Sequence, residues 1–139
     1  MILDDAALDA AVKTYDPTKP VYMLLLSKYR ETADYAPYLN DSVSVDSSPC
    51  TGREAMVRYR TAIAAIVPPN TSRQFASTVV VNAITPKGET WDDVVLIKFP
   101  DMKGFREMVQ CDLYKREVVA HRYAGLENSR LILLDETVE

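Results

Sequence analysis

His121 is the only histidine in the chain, and no other residue type here has an ordinary pKa so near neutrality. That makes it the least demanding candidate for a general acid or base. Tyr114 lies seven residues before it, two turns on a regular helix, so phenol and imidazole are expected to project from one face. A phenol beside an imidazole can steer a proton onto and off a carbonyl compound. The competing reading of His121 is a surface or interface residue at a polar helix end, beside Arg122. Asp92 and Asp93 stand together at the start of a strand and must point to opposite faces of the sheet. One of them, taken as Asp93, would be a base of raised pKa if it faced an apolar pocket; otherwise both are solvated charges at a turn.

A second set of residues suits binding rather than proton transfer. Trp91 can floor an aromatic ligand, or simply pack at a strand end. Lys98 sits in an apolar strand, where it reaches a carbonyl or carboxylate, or lays its stem along the sheet with its ammonium in water. Arg30 and Arg122 can clamp an anionic group. Tyr22, Tyr29, Tyr35 and Tyr38 can furnish a polar-aromatic lining for a flat ligand.

These residues need elements to position them. Asp4 to Thr14 is alanine-rich, acidic first and basic late, and reads as a helix before the Asp16–Pro20 break. This extension, 1–19, is expected to lie outside the core. Val21 to Ser27 is apolar almost throughout and predicts a strand covered on both faces. The stretch 28–50 carries Tyr29, Tyr35 and Tyr38 and reads as an insertion, either a lid or a surface feature packed on the core. Thr51-Gly52-Arg53-Glu54 is a capping box, with Met56, Tyr59, Ile63 and Ile66 at helical spacing and Pro68-Pro69 as the stop. A β-branched strand is predicted over Phe75 to Thr85, centred on Val79-Val80-Val81, and Pro86-Lys87-Gly88 turns it back onto Trp91 to Phe99. From Asp101 a short helix carries Phe105, Met108 and Val109. A break near Cys111-Asp112 precedes a second helix, and Arg130 to Leu134 is the last strand. Stripped of additions, the order is βαββαβ, an α+β domain of the split-βαβ type.

At 139 residues the chain fits one domain, 1–139. A formal charge of −4 and the absence of a concentrated basic surface argue against nucleic acid. Two isolated cysteines and one histidine make no zinc site of usual spacing, and Cys50 and Cys111 are expected reduced. No secretory signal is visible, and no apolar run approaches the roughly 20 residues of a membrane helix, so a cytoplasmic protein is expected. Phosphate-cradling glycine loops, a nucleophile elbow and HExxH are all missing, which disfavours nucleotide use, serine hydrolysis and zinc proteolysis.

The run from Trp91 to Leu134 resembles the DUF1330 family of the dimeric α/β-barrel superfamily. The resemblance is carried by the strand ending in Phe99-Pro100, by Tyr114, by His121-Arg122, and by the Arg130-Leu131-Ile132 strand. It implies a ferredoxin-like fold in a homodimer, two four-stranded sheets facing each other with helices outside and a pocket between sheet and helices. The extra N-terminal helix and the insertion depart from the compact family pattern. Superfamily relatives include cofactor-free monooxygenases, isomerases, polyketide cyclases and haem-dependent enzymes; haem through His121 would rest on one histidine. The resemblance implies a cofactor-independent enzyme of specialised metabolism that isomerises, cyclises or dehydrates a carbonyl-bearing, polyketide- or terpenoid-like substrate. The alternatives are a non-catalytic dimer that binds a hydrophobic metabolite, and a cofactor-free oxygenase.

Overall fold

The computed structural model describes residues 2–137. Four strands form one antiparallel sheet: β1 (Val21–Tyr29), β2 (Ser72–Thr78), β3 (Asp93–Phe99) and β4 (Leu126–Leu134), in the order β2-β3-β1-β4. α1 (Asp5–Thr14) precedes them, and between them run α2 (Gly52–Ile63), α3 (Met102–Gln110), and a π-helical turn (Tyr114–Val118) leading into α4 (Val119–Gly125). The protein is thus a small α+β fold, with helices against one face of the sheet. Among the described residues, no helix is long and apolar enough to cross a membrane.

The strands alternate by the two-residue period of extended backbone. Val21, Met23, Leu25 and Ser27 of β1 face the helices and are buried, while Tyr22, Leu24 and Leu26 between them are only partly covered. Register puts Phe99, Ile97, Val95 and Asp93 on the same inner face, opposite Val21 to Ser27. The expectation that β1 is covered on both faces is therefore corrected: among the described residues no layer covers its outer face. The same face continues through Leu96 and Val94 of β3 and Ile132 and Leu134 of β4.

The inner face packs against Met56 and Tyr59 of α2, Phe105 and Met108 of α3, and Tyr114 and Val118 of the π turn. The rings of Phe99 and Phe105 meet edge-on with centroids 5.0 Å apart, a favoured aromatic geometry. Helix starts follow the sequence signals. Thr51 and Glu54 form the reciprocal capping box on α2, and the Asp101 carboxylate accepts from the Gly104 amide at the start of α3. The N-terminal helix is not detached: Leu8 joins the main core, and Asp9 pairs with Arg106 of α3 at 3.6 Å.

The strand expected over Phe75 to Thr85 lies at Ser72–Thr78 instead. Pairing ends where Thr78 meets Asp93, and the Val79 amide then donates to the Asp92 carbonyl. Beyond that point the valines have no partner strand, so Val80 and Ile84 are each 97% exposed. Strand propensity measures fit to a pleated surface, and it does not reveal where the partner stops.

Candidate functional site

Between the sheet and the helices lies an apolar cavity of about 110 Å³. Met23, Leu25, Met56, Ile97, Phe105 and Met108 form much of its wall. The polar groups that reach it are few: Ser27, Tyr29, Tyr59, Arg60, Tyr114 and Arg122, with Thr71 near the end of α2. An apolar volume with a small number of placed polar groups is the usual composition of a small-molecule site.

Tyr114, 3% exposed, stands with Tyr59 as the polar centre of this cavity. Their hydroxyls are 3.1 Å apart and their rings meet edge-on. Burial first, and then the neighbouring Tyr59 phenol, push Tyr114 upward from the ordinary phenol range. Tyr114 therefore stays protonated and offers an O–H donor to a ligand. Tyr59 sat in the helical repeat as a packing residue; its hydroxyl's role was not legible, because periodicity reports only the face and not what the face meets.

Asp93 lies on the inner face opposite Ser27, beside Tyr29. The Tyr29 hydroxyl donates to Asp93 Oδ2 at 2.6 Å, and Arg53 Nη1 donates to the same oxygen at 3.2 Å. Burial, and then its bond to the Asp93 carboxylate, push Tyr29 up to about 12. Asp93 Oδ1 is buried with no partner. Buried polar atoms are nearly always paired, so an orphaned carboxylate oxygen marks either strain or a reactive position. Its neighbour Asp92 accepts from the Tyr29 amide at 2.9 Å and caps the end of the β1–β3 pairing.

His121 does not share the cavity with Tyr114, contrary to the expectation of a common face. The Val119 amide bonds the Tyr114 carbonyl, five residues back. That turn absorbs about one extra residue and rotates all that follows by about 100° relative to a continuous α-helix. His121 is 5% exposed and faces the insertion. Its Nδ1 is 2.6 Å from the Tyr35 hydroxyl, and the two rings meet edge-on. Arg58 Nη1 donates weakly to the Tyr35 oxygen at 3.5 Å and more firmly to the carbonyls of Asp46 and Ser48 at 3.0 and 2.9 Å. With Arg58 donating to its oxygen, Tyr35 turns its own proton to His121, so Nδ1 accepts and the ring is neutral with its proton on Nε2. Burial, and then the Arg58 charge, lower the His121 pKa below its usual value.

The binding candidates divide by face. Tyr29 and Arg122 reach the cavity. Tyr22 and Lys98 pair across β1 and β3 on the outer face, the ammonium 5.7 Å from the tyrosine ring centroid. Trp91 is buried beside Arg130, whose guanidinium is 5.9 Å from its ring centroid, and does not line the cavity. The insertion is packed rather than open. Tyr38 stacks on Tyr123 at 5.3 Å, and the Ser44 amide donates to the Arg116 carbonyl at 2.8 Å. Cys50 and Cys111 are free thiols. Among the described residues, no three histidine, cysteine or acidic side chains gather as a metal-ligand set.

The chain is similar in fold to the crystal structure of a protein of unknown function from Rhodopseudomonas palustris. Identity is 24%, over 100% of this chain and 97% of that one, with a TM-score of 0.76. The methylated form of that protein gives 25% identity over 99% and 94% of the two chains, with a TM-score of 0.77. No family model matches the chain, and no curated protein does. The likeness establishes a small α+β fold that spans the whole chain.

Proposed function

We propose that this protein is a cofactor-independent enzyme acting on a small, carbonyl-bearing apolar molecule, by acid–base isomerisation, cyclisation or dehydration. The observation that carries the reading is the Tyr59–Tyr114 hydroxyl pair set in an otherwise apolar cavity, 3.1 Å between oxygens. The Tyr114 phenol donates to the carbonyl oxygen and stabilises the negative charge that develops there, an effect magnified where water is excluded. The proton on the carbon beside the carbonyl passes to the Tyr29 oxygen as the Tyr29 proton passes to Asp93 Oδ2, the carboxylate itself lying behind Tyr29 and outside the cavity lining. In this reading His121 positions the insertion and leaves the reacting atoms to the tyrosines and Asp93.

The assembly we infer is a homodimer of ferredoxin-like subunits, a dimeric α/β barrel. Two features support it: the βαββαβ element order around a β2-β3-β1-β4 sheet, and the apolar outer face that no element among the described residues covers. Docked sheet to sheet, the outer faces would bring Tyr22 and Lys98 into the barrel interior.

The test is proton exchange at the carbon beside a carbonyl, followed by NMR in heavy water with cyclohexanone and 2-hexanone. The wild-type protein is expected to accelerate exchange, and Tyr114→Phe and Asp93→Asn to lower it at least tenfold with the fold intact by circular dichroism. A second reading, a non-catalytic binder of a hydrophobic metabolite, is favoured by the engagement of the only near-neutral titrating group, His121, with Tyr35. A ketone that binds by calorimetry yet shows no accelerated exchange would decide for it. Consumption of dissolved oxygen would instead indicate a cofactor-free oxygenase.

A further inference from the structure

Arg122 stands where three hollows meet. It lines the apolar cavity, a cleft of about 300 Å³ beside residues 2–4, and a third hollow of about 120 Å³. The third is bounded by α4, the start of β4 and the insertion. Its lining is polar: Arg30, Tyr38, Arg122, Tyr123, Glu127 and Ser129, with Leu126 between them. Two guanidinium groups thus border one small volume. Among the described residues, neither has a carboxylate oxygen within 4.0 Å. Glu127 is on the rim and exposed, outside ion-pair distance of both. Arg122 spends one N–H on Ser129 Oγ at 2.9 Å. Arg30 Nε is buried with no acceptor.

A buried donor without an acceptor and two like charges on one hollow are both unfavourable. One bound carboxylate relieves the like-charge repulsion, since its planar oxygens accept from two guanidinium edges at once, while Arg30 Nε stays covered in the wall behind. We propose that this hollow is the anion subsite of the apolar cavity, and that the ligand is an amphipathic carboxylic acid. Its carboxylate lies between Arg30 and Arg122, and its apolar body passes along the shared Arg122 wall into the cavity at Tyr114. The inference rests on the reading of the apolar cavity as a ligand site.

The test is calorimetry of the full chain at pH 7 with hexanoate and with hexan-1-ol. It covers wild type, Arg30→Gln, Arg122→Gln and Tyr59→Trp, whose indole fills the cavity. Wild type is expected to bind hexanoate at least tenfold more tightly than the alcohol, with the ratio falling toward one in either glutamine variant. Arg30→Lys, which keeps the charge but not the fork, is expected to give an intermediate ratio and controls for misfolding. Equal affinity for acid and alcohol, or an unchanged preference in both glutamine variants, overturns the subsite. Alcohol binding that Tyr59→Trp abolishes, without preference for the acid, overturns the subsite while the cavity reading stands. Binding of neither probe overturns both, and hexanoate binding indifferent to Tyr59→Trp overturns the link between subsite and cavity.

Discussion

Tyr114 and His121 stand seven residues apart in the chain and do different work. Tyr114 is held by Tyr59 inside the cavity; His121 is held by Tyr35 beneath the insertion. Loss of the Tyr114 hydroxyl should therefore remove the proposed proton exchange with little change in fold, whereas His121→Gln should loosen the insertion first. Hydrogen exchange over residues 30–50, measured alongside turnover, separates the two effects. The pH dependence follows from the same contact. Because burial lowers the His121 pKa in the folded chain, the unfolded chain takes up the proton first as pH falls. The stabilisation is fully present above the unfolded value of about 6.5 and is lost as pH drops through and below it. Protection over 30–50 is expected to fall from pH 7 to pH 5 in wild type, and that pH dependence should flatten in His121→Gln.

At the scale of elements, the informative features are ends and interruptions. The capping box at Thr51 is a local exchange of hydrogen bonds, and both halves form as the residue pattern requires. Thr51→Ala should cost about 1 kcal/mol in chemical denaturation, the usual worth of a side-chain cap. A larger loss would mean that Thr51 also anchors the insertion through its bridge to Thr32. The crossing of α2 over α4 is tighter. A side-chain carbon on Gly125 would fall 2.8 Å from the Gly52 carbonyl and 3.0 Å from the Ala55 methyl. Backbone on one side cannot yield as a flexible side chain would, so Gly125→Ala should destabilise the protein by about 3 kcal/mol. The same crossing carries the Arg30 amide to the Gly125 carbonyl at 2.9 Å, so that variant should also disturb the Arg30 side of the proposed anion subsite.

The outer face of the sheet carries Leu24, Leu26, Val94, Leu96, Ile132 and Leu134 in register, with Tyr22 and Lys98 among them, and Val80 and Ile84 are exposed on the β2–β3 connection. An apolar patch of this kind marks an interaction surface. In native mass spectrometry the protein should weigh about twice the 15.6 kDa chain, and Leu24→Glu or Leu96→Glu should return it to the monomer. Wild type that stays monomeric at micromolar concentration would overturn the barrel.

Much was legible from the residues alone wherever the cause is local. The start of α2 follows from Thr51 and Glu54, the start of α3 from Asp101, and the breaks from Pro68-Pro69 and Cys111-Asp112, because caps and stops act within one turn of chain. That β1 and β3 are strands follows from their apolar and β-branched runs, whereas the one-sided burial of β1 showed only in the structure. Four things were not written in neighbouring residue types. The β2 strand lies at Ser72–Thr78 and not at the valines, because β3 offers pairing only as far as Asp93. The outer face of β1 is bare because every helix among the described residues lies on the other side. Tyr114 and His121 part because a single π turn, absent from any spacing rule, rotates one away from the other. Arg30 and Arg122, 92 positions apart in the chain, border one hollow only because β1 ends where α4 ends. Local hydrogen bonding is written in neighbouring residue types; the meeting of remote side chains is decided by how the layers pack.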